Sequence, residues 1–349
     1  MLKTWNEYQK QVPDDHFFYV RSCIRQTFFP GSETMLLRIL REHLNKDVFE
    51  DPRHTTCTGI GYHSDIIPLE TIMTVVGRQL ALMTEAGYKN LLVSCVTSFG
   101  IYLEMLDMWK HFPEKLEETR NALRKSTNRE FEIPESVSHA SDVIFHFKDE
   151  IREKSNLKLI NKLTGQPLKV VDHIGCHYAK IFPHEGFGGA EFPSVLSGLI
   201  KTWGGEMIDY PERRHCCGFG FRHYLVQENR GYSISNAKIK FESMAPYKPD
   251  FIIANCPGCA MFLDKWQYTL AEMTGKTYDT ESNGIPVLTY EELAGLMLGH
   301  NPWQMGMQMH QINVEPLLEK LGYKYTKKEK FYLAGKPTKS PSACSVLMA

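Results

Sequence analysis

The chain has 349 residues, 42% of them hydrophobic and 23% charged, with a formal net charge of −1 at pH 7. That is enough apolar material for two domains with their own cores, and the balanced charge offers no basic field for nucleic acid or an anionic membrane. No stretch approaches the roughly 20 apolar residues of a spanning helix, and residues 1–7 lack an apolar signal run. A cytoplasmic location is therefore expected, with any membrane association peripheral and through partners.

In chain order, Phe17-Phe18-Tyr19-Val20 reads as a short strand leading to Cys23, and residues 35–43 read as a helix. Cys57-Thr58-Gly59 comes next. A helix is predicted over about 68–86, where apolar residues at 69, 72, 73, 76, 80 and 83 have helical spacing and Pro68 suits the first turn. Leu91-Leu92-Val93 reads as a buried strand delivering Cys95, and the charged stretch 114–130 as a solvated helix or connection.

The second half repeats the plan. Leu168-Lys169-Val170-Val171 is a predicted strand leading to Cys176, and residues 193–203 form a predicted amphipathic helix stopped by Gly204-Gly205. Met207-Ile208-Asp209-Tyr210 is a predicted strand ahead of Cys216-Cys217-Gly218; 233–244 reads as a helix; Phe251-Ile252-Ile253-Ala254 reads as a strand, with Cys256 opening the next helix. Strands alternating with helices predict an α/β fold with parallel sheets, whose sites form outside the carboxyl ends of the strands.

Three loops at such ends carry Cys176, Cys216, Cys217, Cys256 and Cys259, with long gaps of 39 and 38 intervening residues. Nine cysteines in all are many for a reducing compartment, where stable disulfides are rare. Adjacent Cys216 and Cys217 are useful when both sulfurs face a multi-atom soft-metal or iron–sulfur centre. Cys259 would sit in the first turn of its helix, where free amides favour thiolate, and Gly218 would let backbone approach the centre. Zinc is the competing occupant, but a tetrahedral ion leaves one of five thiols unused. A thioredoxin-like reading of Cys256 and Cys259 ignores the other three.

The first half keeps Cys23, Cys57 and Cys95 in the same order, as a divergent internal repeat would. Two readings stay open for them. Either they pack as small hydrophobes, or they form a second metal or iron–sulfur site completed by His63, Ser98, an exogenous ligand or a substrate sulfur. Cys344 lies in a Ser/Lys/Pro tail and reads as an exposed bystander.

Gly175-Cys176-His177-Tyr178, Tyr210-Pro211-Glu212 ahead of Cys216-Cys217-Gly218, Cys256-Pro257-Gly258-Cys259, and the run from Ile285 through Thr289-Tyr290-Glu291-Glu292-Leu293 resemble the cysteine-rich, or CCG, domain family. The likeness is greatest to the B subunit of heterodisulfide reductases and covers roughly residues 15–312. It implies two similar parallel-sheet CCG domains related by an internal pseudo-repeat, a degenerate one over 15–158 and a complete one over 159–312. Beyond them a C-terminal extension over 313–349 is expected, with an end that its Ser/Lys/Pro composition predicts to be flexible. It further implies that Cys176, Cys216, Cys217, Cys256 and Cys259, with Gly218 beside them, bind and work through a non-cubane [4Fe–4S] cluster. Such a cluster makes or breaks disulfides in one-electron steps. The incomplete first motif is similar to the Hdr-like complexes of sulfur oxidisers, in which related subunits act on sulfane sulfur on a lipoate-carrying protein.

Gly186-Phe187-Gly188-Gly189 lacks the glycine spacing of a dinucleotide fingerprint and follows no strand, and no ferredoxin-type cysteine run is present. Electrons then pass through partners, which the resemblance implies are an A-type flavin subunit and a C-type ferredoxin-like subunit. Two other classes stay open: a quinone-linked CCG subunit of a succinate- or glycolate-type oxidoreductase, and a zinc-stabilised interaction subunit. His177 would tune the centre, shuttle a proton or simply be hydrogen-bonded beside it. His184, His215 and His223 lie near the motif in sequence. Met305, Met307 and Met309 are expected to pack, and Lys324, Lys327, Lys328 and Lys330 to be solvated.

Overall fold

The computed structural model describes residues 2–10, 12–182, 187–219, 230–278 and 284–323. Within them, one sheet contains β1 (Phe17–Val20), β2 (Val48–Phe49), β3 (Asn90–Val93) and β4 (Ser136–His139). A second contains β5 (Lys169–His173), β6 (Glu206–Met207), β7 (Phe251–Ala254) and β8 (Val287–Thr289). The orders are β2-β1-β3-β4 and β6-β5-β7-β8, with every pairing parallel. Shifting each number by four turns one order into the other, so the two halves share one α/β plan.

The central strands β1 and β7 are buried at every position. Fully buried parallel strands read as apolar runs because helices cover both faces. The crossover helix Leu69–Glu85 buries Ile72, Met73, Val76, Leu80 and Met83, while Pro68 stands just outside it as the N-cap. Pro257 and Gly258 open the helix Pro257–Thr274, which ends at Gly275. The charged stretch forms the helix Pro113–Thr127, with only Thr119 and Leu123 buried.

Some elements depart from expectation. The strand predicted from Met207 ends there: one further rung joins the Ile208 amide to the Val170 carbonyl at 2.8 Å, and Pro211 then has no amide to give a ladder. β4, Ser-Val-Ser-His, carries no apolar run yet is wholly buried, and Ser136 donates to Asn90 Oδ1 at 3.0 Å. The helix expected at 35–43 begins at Pro30 and turns into a π-helical segment over Ile39–His43.

The halves pack against each other. Gly31 lies against the Met305 backbone, and Gly295 against Met35 and Met305. Met305 and Met307 are accordingly buried, and Met309 is half exposed. Helix Glu315–Lys320 buries Leu317 and Leu318, so residues after 313 begin inside the fold. Cys344 and the lysines at 324, 327, 328 and 330 lie outside the described residues, as do His184 and His223. No described helix is long and apolar enough to cross a membrane.

Candidate functional site

The repeat sets the cysteines at matching places. Cys23 and Cys176 each follow the first strand of their half by three residues, and Cys95 and Cys256 each follow the third by two. Cys176 leads into the π-helical turn His177–Ile181, and Cys256 is the N-cap of Pro257–Thr274. The loops are held together by Asn255, whose Oδ1 accepts the Gly175 amide at 2.9 Å. Gly175 has no room for a side chain: a Cβ there would lie 2.6 Å from Val96 Cγ2 and 2.8 Å from Cys256 Cβ.

The five second-half thiols meet. Hydrogen-bonded contacts run from Cys176 to Cys216, on to Cys217, then to Cys259 and Cys256. Cys217, Cys256 and Cys259 are buried, and Cys176 and Cys216 are half-buried. The amides of Gly218, Phe219 and Cys259 reach the sulfurs of Cys216, Cys217 and Cys256, each at 3.4 Å. Gly218 adopts φ +91°, the left-handed region that suits glycine, and this aims its amide at Cys216.

Crowding forces these thiols to compete for negative charge. Hydrogen bonds from Cys176 and Cys217 hold the Cys216 thiol far below the ordinary thiol range, and one from Cys259 lowers Cys256. The Cys176 and Cys217 thiols are pushed up, first by their bonds to Cys216, and Cys259 is pushed up by its bonds to Cys217 and Cys256. Five thiolates fit side by side only around a positive centre.

The surroundings also suit an anionic group. Lys240 is fully buried and donates to the carbonyls of Glu212, Arg213 and His215 at 3.1, 2.8 and 3.3 Å, fixing the loop ahead of Cys216. Burial pulls its pKa down to about 8 against the attraction of Asp172, Cys217 and Cys259. Arg213 grips Asp172 with two bonds of 2.6 and 2.7 Å, anchoring the same loop to β5. His173, at the end of β5, is 2% exposed, and neither ring nitrogen has a hydrogen-bond partner among the described residues. His173, Cys217 and Cys259 are the one set of three metal-ligating residues among the described ones whose ligand atoms all lie within 4.8 Å of one another.

Orphaned imidazole nitrogens, five converging thiols and a buried ammonium fit an iron–sulfur cluster. They fit one zinc ion poorly, since a closed tetrahedron leaves thiols over.

His177 faces the other half. Its Nε2 lies 3.1 Å from His63 Nδ1 with the rings stacked at 4.7 Å, and His63 Nε2 is 3.1 Å from Glu104. Burial, then the nearby His63, lowers the His177 pKa to about 3, so the ring is neutral. His215 sits 3.5 Å from Glu212.

Cys23, Cys57 and Cys95 share the wall of a cavity of about 150 Å³ with Ile24, Ile60, Ile67 and Ser98. The second half closes it with Phe219, Cys256 and Gly258. His63 is not on this wall. Burial pushes all three thiols up, Cys95 to about 12, with Cys256 adding to the effect on Cys95; Ser98 donates to Cys57. The first-half thiols thus stand as neutral groups in a largely apolar space that reaches a thiol of the second-half set.

Sequence reasoning missed His173, Lys240 and Arg213. The polar Asp172-His173 pair ending an apolar strand three residues before Cys176 was a legible signal for the first. Lys240, within the helix Arg230–Met244, offered none.

Residues 170–264 match the family described as a cysteine-rich domain, CCG. The chain is 24% identical over 322 residues to the B subunit of the ferredoxin:CoB-CoM heterodisulfide reductase of Methanosarcina acetivorans, covering 90% of this chain and 98% of that one. It is 26% identical over 296 residues to the B subunit of the ferredoxin/F(420)H(2)-dependent CoB-CoM heterodisulfide reductase of the same organism, covering 84% and 93%. The B subunit of the ferredoxin:CoB-CoM heterodisulfide reductase of Methanosarcina mazei matches to the same extent. Among solved structures, a hypothetical protein from Helicobacter pylori superposes with a TM-score of 0.62 at 13% identity over 86% of this chain, a likeness of fold alone. This chain spans about half of that structure, 54% of its length.

Proposed function

We propose, for a chain that carries a cysteine-rich domain and is similar over most of its length to heterodisulfide reductase B subunits, that it is the iron–sulfur subunit of a heterodisulfide reductase-like redox complex. Cys176, Cys216, Cys217, Cys256 and Cys259 would hold the cluster, of the non-cubane [4Fe–4S] kind. When bound, that group supplies one-electron exchange with a disulfide, thiol or sulfane-sulfur substrate. The observation that carries the reading is the unbroken run of contacts among the five sulfurs from Cys176 to Cys256.

The chain's own residues have separate tasks. Lys240, Arg213 and Asp172 fix the Cys216-Cys217 loop, and Asn255 fixes the Cys176 loop against that of Cys256. The apolar cavity behind Cys256 excludes water and admits a substrate sulfur, with Cys23, Cys57 and Cys95 as neutral thiols on its far wall. Stacking against His63 orients His177 beside Cys176. Electrons arrive or leave through an A-type flavin subunit and a C-type ferredoxin-like subunit, and a lipoate-carrying protein is a substrate carrier of fitting chemistry.

The test is reconstitution of the anaerobic protein with A- and C-type partners. Disulfide- or persulfide-dependent electron transfer that requires this chain supports the proposal; transfer to quinone alone, with no sulfur substrate turned over, overturns it.

A further inference from the structure

His173 is a buried polar group that nothing among the described residues satisfies. An imidazole has two nitrogens, and in the neutral ring one donates and one accepts. Buried polar groups are nearly always hydrogen-bonded, because leaving one unsatisfied forfeits its hydration with nothing in return. Both nitrogens of His173 lack a partner among the described residues, although the residue is 2% exposed. The backbone leaves it little freedom: it closes β5, in register with Ala254 of β7, two residues from Asn255-held Gly175. Its ligand atom lies within 4.8 Å of both the Cys217 and the Cys259 sulfurs.

We infer that His173 is a positioning residue of the cluster, donating a ring N–H to a sulfur of the group held by Cys217 and Cys259. This rests on the reading that the five cysteines hold an iron–sulfur cluster, and it adds to them a sixth protein group, from the strand rather than from the cysteine loops. Hydrogen bonds to cluster sulfurs favour the more negative, reduced state and so raise the reduction potential. His173 then helps to set the potential at which electrons leave or enter from the Cys217 and Cys259 side. His177, whose Nε2 is engaged with His63, has a different place.

The experiment uses the full chain, loaded anaerobically and labelled with [15N]imidazole histidine. Pulsed EPR measures the weak nitrogen coupling to the paramagnetic cluster, and a redox titration measures its potential, in wild type, His173→Leu and His173→Gln. Iron and sulfide content is read first; an unloaded wild type refutes the cluster itself, separately from the role of His173. With loaded protein, the inference predicts loss of the histidine coupling in both variants. It also predicts a shift to more negative potential in His173→Leu, partly restored in His173→Gln, whose amide keeps a donor. If only His173→Gln retains its cluster, the loss of imidazole coupling in that variant still decides. A coupling that survives in the variants, or one as strong as that of iron-bound imidazole in wild type, overturns the donor role. So does an unchanged potential in His173→Leu.

Discussion

Arg25 and Glu291 form an ion pair across the junction of the two halves with both side chains fully buried. Ser32 donates to the same Glu291 carboxylate at 3.0 Å, and Arg25 donates to the Ser94 carbonyl at 2.8 Å and lies 5.5 Å from the Tyr290 ring. The Arg25 charge also contributes to lowering the Cys256 thiol, so the pair that joins the halves acts on the thiol set as well.

Removing either partner strands a buried charge. Arg25→Met and Glu291→Leu should each cost about 3–5 kcal/mol in chemical denaturation of the metal-free protein, and the double substitution should recover most of that loss. Additive single costs would show that the pair is not coupled.

His310 and Glu292, both buried, lie 3.0 Å apart. Burial opposes charge on His310, but the Glu292 carboxylate outweighs it and raises the pKa from 6.5 to about 9. The folded chain then keeps a proton that the unfolded chain has released. Stability from this pair is fully present below pH 6.5 and is lost as pH rises through about 9, a fall of roughly 1.4 kcal/mol per pH unit across that window. Denaturant midpoints measured between pH 6 and 10 should show this decline, and His310→Gln should flatten it.

Gly218→Ala should cost the protein most of its iron. The new Cβ would lie 2.1 Å from the Ser233 carbonyl oxygen at φ +91°, displacing the loop that carries Cys216 and Cys217. Gly189→Ala is the control, since that glycine has a positive φ of +75° and nothing within 4 Å. It should cost only about 1–2 kcal/mol and leave metal content unchanged. Equal iron in both variants would contradict the role given to Gly218.

Ile67 lines the cavity between the first-half thiols and Cys256. Ile67→Trp should fill it, leaving the EPR signal intact while slowing turnover of the sulfur substrate by about ten-fold or more, equivalent to 1.4 kcal/mol of barrier. Unaltered turnover would mean that substrate arrives by another route.

The α/β plan and the five-cysteine set were legible because each rests on a local signal. Apolar runs such as Phe251–Ala254 mark buried strands, and the cysteines recur at loop positions. β4 was not legible, since Ser136 and Ser138 are buried through hydrogen bonds and packing that a polar sequence does not announce. Nor was Lys240, whose partners are three backbone carbonyls 25 to 28 residues away. His63 appeared as a candidate ligand for the first-half thiols, yet its ring is stacked on His177 instead. That contact depends on how the halves dock, which no local pattern encodes.

Metal and sulfide quantification with EPR on anaerobically purified protein decides whether Cys176, Cys216, Cys217, Cys256 and Cys259 hold one iron–sulfur cluster. About four iron and four acid-labile sulfide per chain, with an EPR signal that Cys216→Ser abolishes or alters, is the predicted result. About one zinc per chain without iron or sulfide would contradict it.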